Sequence, residues 1–488
     1  MAIHLPPHEN MLPDAIQFLS PSALSNESFS ALDEYDVHPR FLELQNELRT
    51  LLFASAQSAA PTRQHTPDLS AEGQSPPRLP GYRSLLQHLR IAQCQIPILR
   101  IIEYLRVWVS ECAPWLDMFD EKRAFGVSVP VLAQTSPTVL FALLALSARQ
   151  MARSGSAAVA SQDSLELYST AIASLTPALE RKDESVLVAA CILCALEMMS
   201  ASPRDWRRHV EGCAALFEAS SVHGFCGGSL QGVFWCYARM DLCGALIVEC
   251  AESTVLPIGK WVLPETAAAG FDERAISEAF MAHAEQTPDM HANYAVYMCA
   301  KVCDLIAKRS RYVELGDDNG CDTPYFHNAW LHLWEELQLW AERRAPIMRP
   351  IMVIAGSAVT HHFPSVLYAH WGAISGNQLY HTSCILMLEV QATVTVSAAT
   401  NLVHSPLWHA RQIVGISLAN SHKGCLNNAI QPLWIAGRIF TYRAEHKVVV
   451  DLLNYVEMSS GWAARWRIKD LEVAWGYPRG TFTHLRPG

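Results

Sequence analysis

At 488 residues the chain has the length of two ordinary domains, or of one large helical body with extensions. Apolar residues make up 50% and charged residues only 17%, below the roughly 25% charged of an average globular domain, which predicts a large core. The net charge of -10 excludes nucleic-acid binding through the overall field of the chain, so any DNA contact needs a local basic patch.

Residues 1–81 read as a flexible N-terminal region, because residues 1–80 hold 10 of the 27 prolines among many Ser, Asp and Glu. The opening "MAIHLPPHEN" has neither a basic start nor an apolar run, so no secretory signal is read there. One piece, "FLELQNELRTLLFASA" (41–56), places Phe41, Leu44, Leu48, Leu51 and Leu52 on one helical face. The nearby "NESFSALDEYD" reads as linker, with an acidic-hydrophobic activation segment as the alternative.

From residue 82 to 477 apolar residues recur at helical spacing. The pattern predicts helices over 83–92, 97–110, 137–153, 163–179, 184–200, 203–219, 229–250, 275–308, 325–343, 375–392, 406–420, 429–457 and 460–475. The breaks carry ordinary punctuation, such as "TSP" before 137 and "ASP" before 203. The best β-like run, "QATVTVSAAT" (391–400), stands alone. An all-α body follows, with 478–488 as a tail. The longest apolar run, "SVLVAACILCALEMMSA" (185–201), contains Glu197 and falls short of the ~20 residues of a membrane span. A soluble intracellular protein is expected, with no membrane partner.

Of the 14 cysteines none precedes Cys94. Cys191, Cys194, Cys236, Cys243 and Cys250 sit inside apolar helical patterns, where reduced thiols serve as small hydrophobes. Cys191 and Cys194 form a lone CxxC with no second pair at zinc-site spacing, so they read as core residues.

"DWRRHVEGCAALFE" (205–218) begins as a cluster of charge and ends apolar. Ser202 is a good N-cap, Pro203 suits the first helical position and Asp205 fits a capping box. Trp206, Val210, Cys213 and Phe217 then form one buried stripe. Gly212 and Ala215 leave room for a neighbouring helix, and Arg207 faces Glu211 one turn on. Glu211 and Glu218 would meet phosphates unfavourably, so the stretch is a structural helix and not a DNA reader.

In "GVFWCYARMDLCGALIVEC" (232–250), Arg239 and Asp241 interrupt an apolar run on different faces of the helix. They cannot simply pair with each other. Each is a candidate buried ion-pair residue with a partner from another helix, or a residue that contacts an effector. No catalytic, cofactor-binding or metal-binding set is read. "GFCGGSLQG" (224–232) lacks the P-loop lysine, "GISLA" (415–419) ends in Ala419 where a nucleophile elbow has Gly, and "HLWEE" is not HExxH. His361 and His362 are adjacent and cannot ligate as an i,i+4 pair.

Taken in order, several stretches resemble the fungal-specific transcription factor domain, the regulatory domain of zinc binuclear cluster regulators. They include "SPTVLFALLALSARQMA", "DESVLVAACILCALEMM", "DWRRHVEGCAALFEA", "FWCYARMDLCGALI" and "LPIGKWV", then "HARQIVGISLAN", "QPLWIAGRIFTYRAEHKVVVDLL" and "GWAARWRIKDLEVAWGY". The similarity runs over roughly residues 85–477. It implies a large all-α regulatory domain of a nuclear, non-enzymatic transcription regulator, with control of a secondary-metabolite gene cluster as an expected role. It also implies homo- or heterodimers with family members and contacts to transcriptional co-regulators. The family's six-cysteine zinc cluster has no counterpart here, since residues 1–93 contain no cysteine. Zinc is therefore expected only with an upstream cluster, and DNA contact only indirectly or through such an N-terminal domain. A small-molecule-binding or enzymatic helical protein encoded in a biosynthetic cluster is the alternative.

Overall fold

The computed structural model describes residues 37–58, 85–154, 158–181, 183–200, 203–262, 273–284, 287–356, 363–390 and 404–482. Among them the fold is all-α. The exception is a two-stranded antiparallel sheet in which Met352 pairs with Leu367, Val353 with Val366 and Ile354 with Ser365. The strands, β1 (Met352–Ile354) and β2 (Ser365–Leu367), are three residues each. The β-like run 391–400 lies outside the described residues.

The first helix, α1 (Pro39–Ser58), is longer than its sequence pattern. Its Phe41, Leu44, Leu48 and Leu52 are fully buried against the body, so this helix shares the core of the region placed after residue 82. Next come α2 (Leu85–Ile91), α3 (Ile98–Val107), α4 (Ala113–Leu116) and α5 (Val129–Leu132). A π-helical turn at Trp108–Cys112 joins α3 to α4.

Then α6 (Pro137–Arg153) is capped by Ser136, whose hydroxyl accepts from the Val139 N–H, and has Pro137 at its start. It is buried from Thr138 to Gln150 and packs against α7 (Ala158–Glu180) and α8 (Ser185–Ser200). The α8 sequence is apolar all round, and all of its residues are buried.

Then α9 (Pro203–Ser220) fulfils the stripe read from the sequence, with Trp206, Val210, Cys213 and Phe217 buried. A Cβ on Gly212 would stand 2.9 Å from Leu52 Cβ, so the close approach is that of α1. Ser202 lies outside the described residues. Arg207 turns from Glu211 to Glu252 at 2.9 Å and to the Ser253 carbonyl at 3.1 Å.

The long α10 (Gly228–Ile247) packs on α8 and α9 and on α12 (Asp289–Leu315). The single helix expected over 275–308 is two, α11 (Glu273–Ala284) and α12, with Pro288 in the connection. The C-terminal half is α13 (Thr323–Glu342), α14 (Trp371–Glu389), α15 (Pro406–Ala419), α16 (Lys423–Asn428), α17 (Ile430–Gly437), α18 (Arg443–Ser460) and α19 (Trp466–Ala474). The helix expected over 429–457 also divides, at 438–442 between α17 and α18. A Cβ on Gly415 would lie 2.2 Å from the Pro364 carbonyl, so the "GISLA" glycine lets the chain beside β2 approach α15. None of the described helices is long and apolar enough to cross a membrane.

Candidate functional site

The two halves meet at α10. There α4, α8, α10, α14, α16 and α17 leave a cavity of about 80 Å³ that is partly open to solvent. Its walls are mainly apolar, with Trp115, Phe119, Met198, Leu242 and Leu246 contributing. Trp462 stands at one side and meets Trp115 edge to face at 6.2 Å. Polar groups come from Arg239, Asn427, Asn428 and Gln431.

Arg239 is 9% exposed. Its Nη2 donates to the Leu116 carbonyl at 2.7 Å and its Nη1 to the Trp115 carbonyl at 3.4 Å. The guanidinium thus caps the last carbonyls of α4. It lies 5.2 Å from the Phe119 ring. Its Nε is buried without a hydrogen-bond partner, and so is Asn427 Nδ2 on the same cavity. The other amide atom of Asn427 accepts from the Ser460 hydroxyl at 2.8 Å.

Asp241 faces elsewhere. Its carboxylate accepts from the Tyr237 hydroxyl at 2.8 Å, the Val255 N–H at 2.7 Å and the Leu256 N–H at 2.9 Å. These bonds fix the chain that follows α10. Burial nevertheless pushes its carboxyl up to about 6, against the lowering by its three donors. Arg239 and Asp241 therefore neither pair with each other nor form the inter-helix ion pairs expected of buried charges. Among the described residues Arg239 has no carboxylate within ion-pair distance. The physical reason is that backbone groups, two carbonyls in one case and two N–H in the other, satisfy most of each charge locally.

Arg467 is a buried charge that the sequence reading passed over within "GWAARWRIKDL". It donates to Gln431 Oε1 from Nε at 2.9 Å, to Asp470 at 3.0 Å and to the Ile247 carbonyl at 3.1 Å. Its guanidinium also stacks over Trp434 and Trp466. It thereby holds Gln431, a cavity residue, from behind. The sequence signal was available: an arginine amid apolar positions at 464, 468 and 471.

Among the described residues two groupings have donors suited to a metal. Cys194, His209 and Cys213 bring three ligand atoms within 4.8 Å of one another, in the core between α8 and α9. His209 already spends Nδ1 on Glu197 at 3.0 Å and Nε2 on the Ala190 carbonyl at 3.2 Å. Glu273, His332 and Glu336 also converge, but Lys301 sits among them, 3.2 Å from Glu273 and 2.8 Å from Glu336. Neither set fits a cation without breaking these contacts.

Residues 103–237 match the family described as the fungal specific transcription factor domain. The matched stretch runs from α3 into α10 and stops two residues before Arg239. The resemblance carried by "DWRRHVEGCAALFEA" and its neighbours is borne out there. The chain is also similar to the transcription activator AMTR1 of Alternaria alternata, 25% identical over 342 residues, or 60% of this chain. The chain spans less than half of that relative's length, 44%. No solved structure matches.

Proposed function

We propose that this chain, which carries the fungal specific transcription factor domain over residues 103–237, is a transcription regulator that acts through its α-helical body. The observation that carries the reading is the similarity to a transcription activator, which extends over 342 residues and so well beyond the matched domain. The net charge of -10 supports a division of labour in which another polypeptide or another segment reads DNA. The helical body then supplies dimer or co-regulator contacts. Nuclear location and control of a secondary-metabolite gene cluster belong to the same proposal.

Fusion of the full chain to a heterologous DNA-binding domain, with a reporter in a fungal host, tests it. A reporter change of several-fold in either direction is expected. A silent reporter, together with an unchanged transcriptome on deletion of the gene, refutes the reading.

A second reading, a small-molecule-binding protein, is favoured by one observation: Arg239 lines a mostly apolar cavity. The two readings combine if the ligand controls the regulator.

A further inference from the structure

The geometry points to the Arg239 cavity as a binding site for a small organic carboxylate with an apolar tail. The regulatory reading supplies only its biological use; the binding stands on the cavity alone.

The first argument is charge. Arg239 places a buried guanidinium on the cavity wall, and none of the lining residues is acidic. Of the nearby acids, Asp289 stands 3.7 Å from His370 and also feels the charge of Arg239, and the other two are engaged by backbone. Asp117 accepts from the Phe125 and Gly126 N–H groups at 2.6 and 2.8 Å, and Asp120 accepts from the Ala124 N–H at 2.8 Å. The Trp115 and Leu116 carbonyls hold part of the guanidinium, and an anion from outside the chain would complete its charge balance.

The second argument is hydrogen bonding. Two buried atoms on cavity residues lack partners, Arg239 Nε and Asn427 Nδ2, and both are donors. A carboxylate, which only accepts, complements donors of this kind.

The third argument is shape. The remaining wall includes Trp115, Phe119, Met198 and Leu242, an apolar lining for a hydrocarbon tail. About 80 Å³ takes only a few heavy atoms, and the open side lets a longer tail leave toward solvent. The position of the cavity gives occupancy a consequence. A ligand there touches α8 and α10 from one half and α16 and α17 from the other, so binding biases how the halves pack.

The test titrates the full chain with straight-chain carboxylates from acetate to octanoate, and with the matching primary alcohols, at fixed pH and ionic strength. Thermal unfolding and calorimetry are the readouts. Carboxylates are expected to raise Tm with an optimum chain length, and the alcohols to do so at least tenfold more weakly. Arg239→Met and Asn427→Leu are each expected to weaken carboxylate binding at least tenfold. Ala195→Leu, which narrows the cavity and leaves both donors in place, is expected to shift the optimum to shorter acids. If Arg239→Met fails to fold, the other two variants carry the test. Equal binding of acids and alcohols, or carboxylate binding unchanged in every folded variant, overturns the proposal. A silent reporter with carboxylate binding intact refutes the regulatory reading alone. An active reporter without carboxylate binding refutes this inference alone.

Discussion

Trp206 and His209 stand nearly one turn apart on α9 and do different work. Trp206 is buried, and its ring lies against the position of Gly244 on α10. Trp206→Ala removes a large buried aromatic and is expected to cost about 3–5 kcal/mol, read as a lowered urea midpoint. An unchanged midpoint would mean that the α9–α10 contact is not a packed one. His209 is held by Glu197 and by the Ala190 carbonyl, two partners that only accept, so both ring nitrogens carry protons. Burial alone would lower its pKa, but the charge and hydrogen bond of Glu197 outweigh burial and raise it to about 9 from an ordinary 6.5. A pKa raised on folding contributes stability that is complete below about 6.5 and is lost as pH rises through 9. Asp117 and Asp289, pushed up by burial to about 7, have the same sign and are half-titrated at neutrality, about two pH units below His209. Buried thiols such as Cys112, Cys243 and Cys425, whose pKa values burial raises, also lower stability between pH 7.5 and 9.5 as the unfolded chain ionises, so His209 is read from the difference between the wild type and His209→Gln. That difference is expected to be on the order of 2 kcal/mol, with His209→Gln showing the shallower fall in urea titrations across the window.

At the scale of elements, α9 was legible because its apolar spacing is regular and its start is punctuated. The splits between α11 and α12 and between α17 and α18 show what periodicity misses. Both breaks had their signal, Pro288 in one and Gly437 in the other, but the apolar pattern runs on across them and hides the change of direction. The three-residue strands are too short to show alternation at all. The helix at 39–58 was legible as amphipathic, but its partner was not, since the α7 and α9 surfaces it covers lie more than a hundred residues away. Gly212 is the point of closest approach. Gly212→Ala pushes a methyl into Leu52 and is expected to cost about 1–3 kcal/mol. The loss should be local: limited proteolysis would cut within 39–58 of the variant before the wild type, while the remaining body stays protected. Equal cleavage rates would show that α1 has room to shift without loosening.

At the scale of the molecule, the candidate site was the least legible part. Arg239 stood out as a charge in an apolar run, but its surroundings come from residues 115–119, 195–198, 379, 424–431 and 462, which no local pattern brings together. The same distance in sequence limits what the matched region, 103–237, can do by itself. That stretch ends inside α10, whose later residues seal against α12 and α17. The seam is polar as well as apolar. Arg153 donates to the Gly461 carbonyl, Lys423 pairs with Glu111 at 2.8 Å, Arg438 pairs with Glu249 at 3.0 Å, and Arg467 donates to the Ile247 carbonyl. Cutting at 237 strips the guanidinium that caps α4 and uncovers Phe234 and Trp235 on α10 by removing their ring partners Trp261 and Phe280. Exposed surface of that kind removes the burial that offsets chain entropy. The fragment 103–237 is therefore expected to show helical circular dichroism without a cooperative melt, whereas the full chain melts in one transition. A sharp melt of the fragment would mean that the family domain is an independent unit and that α10 is a hinge between two bodies. The cavity beside Arg239 would then lie at the moving joint, and its occupant would control the angle between them instead of the packing of one core.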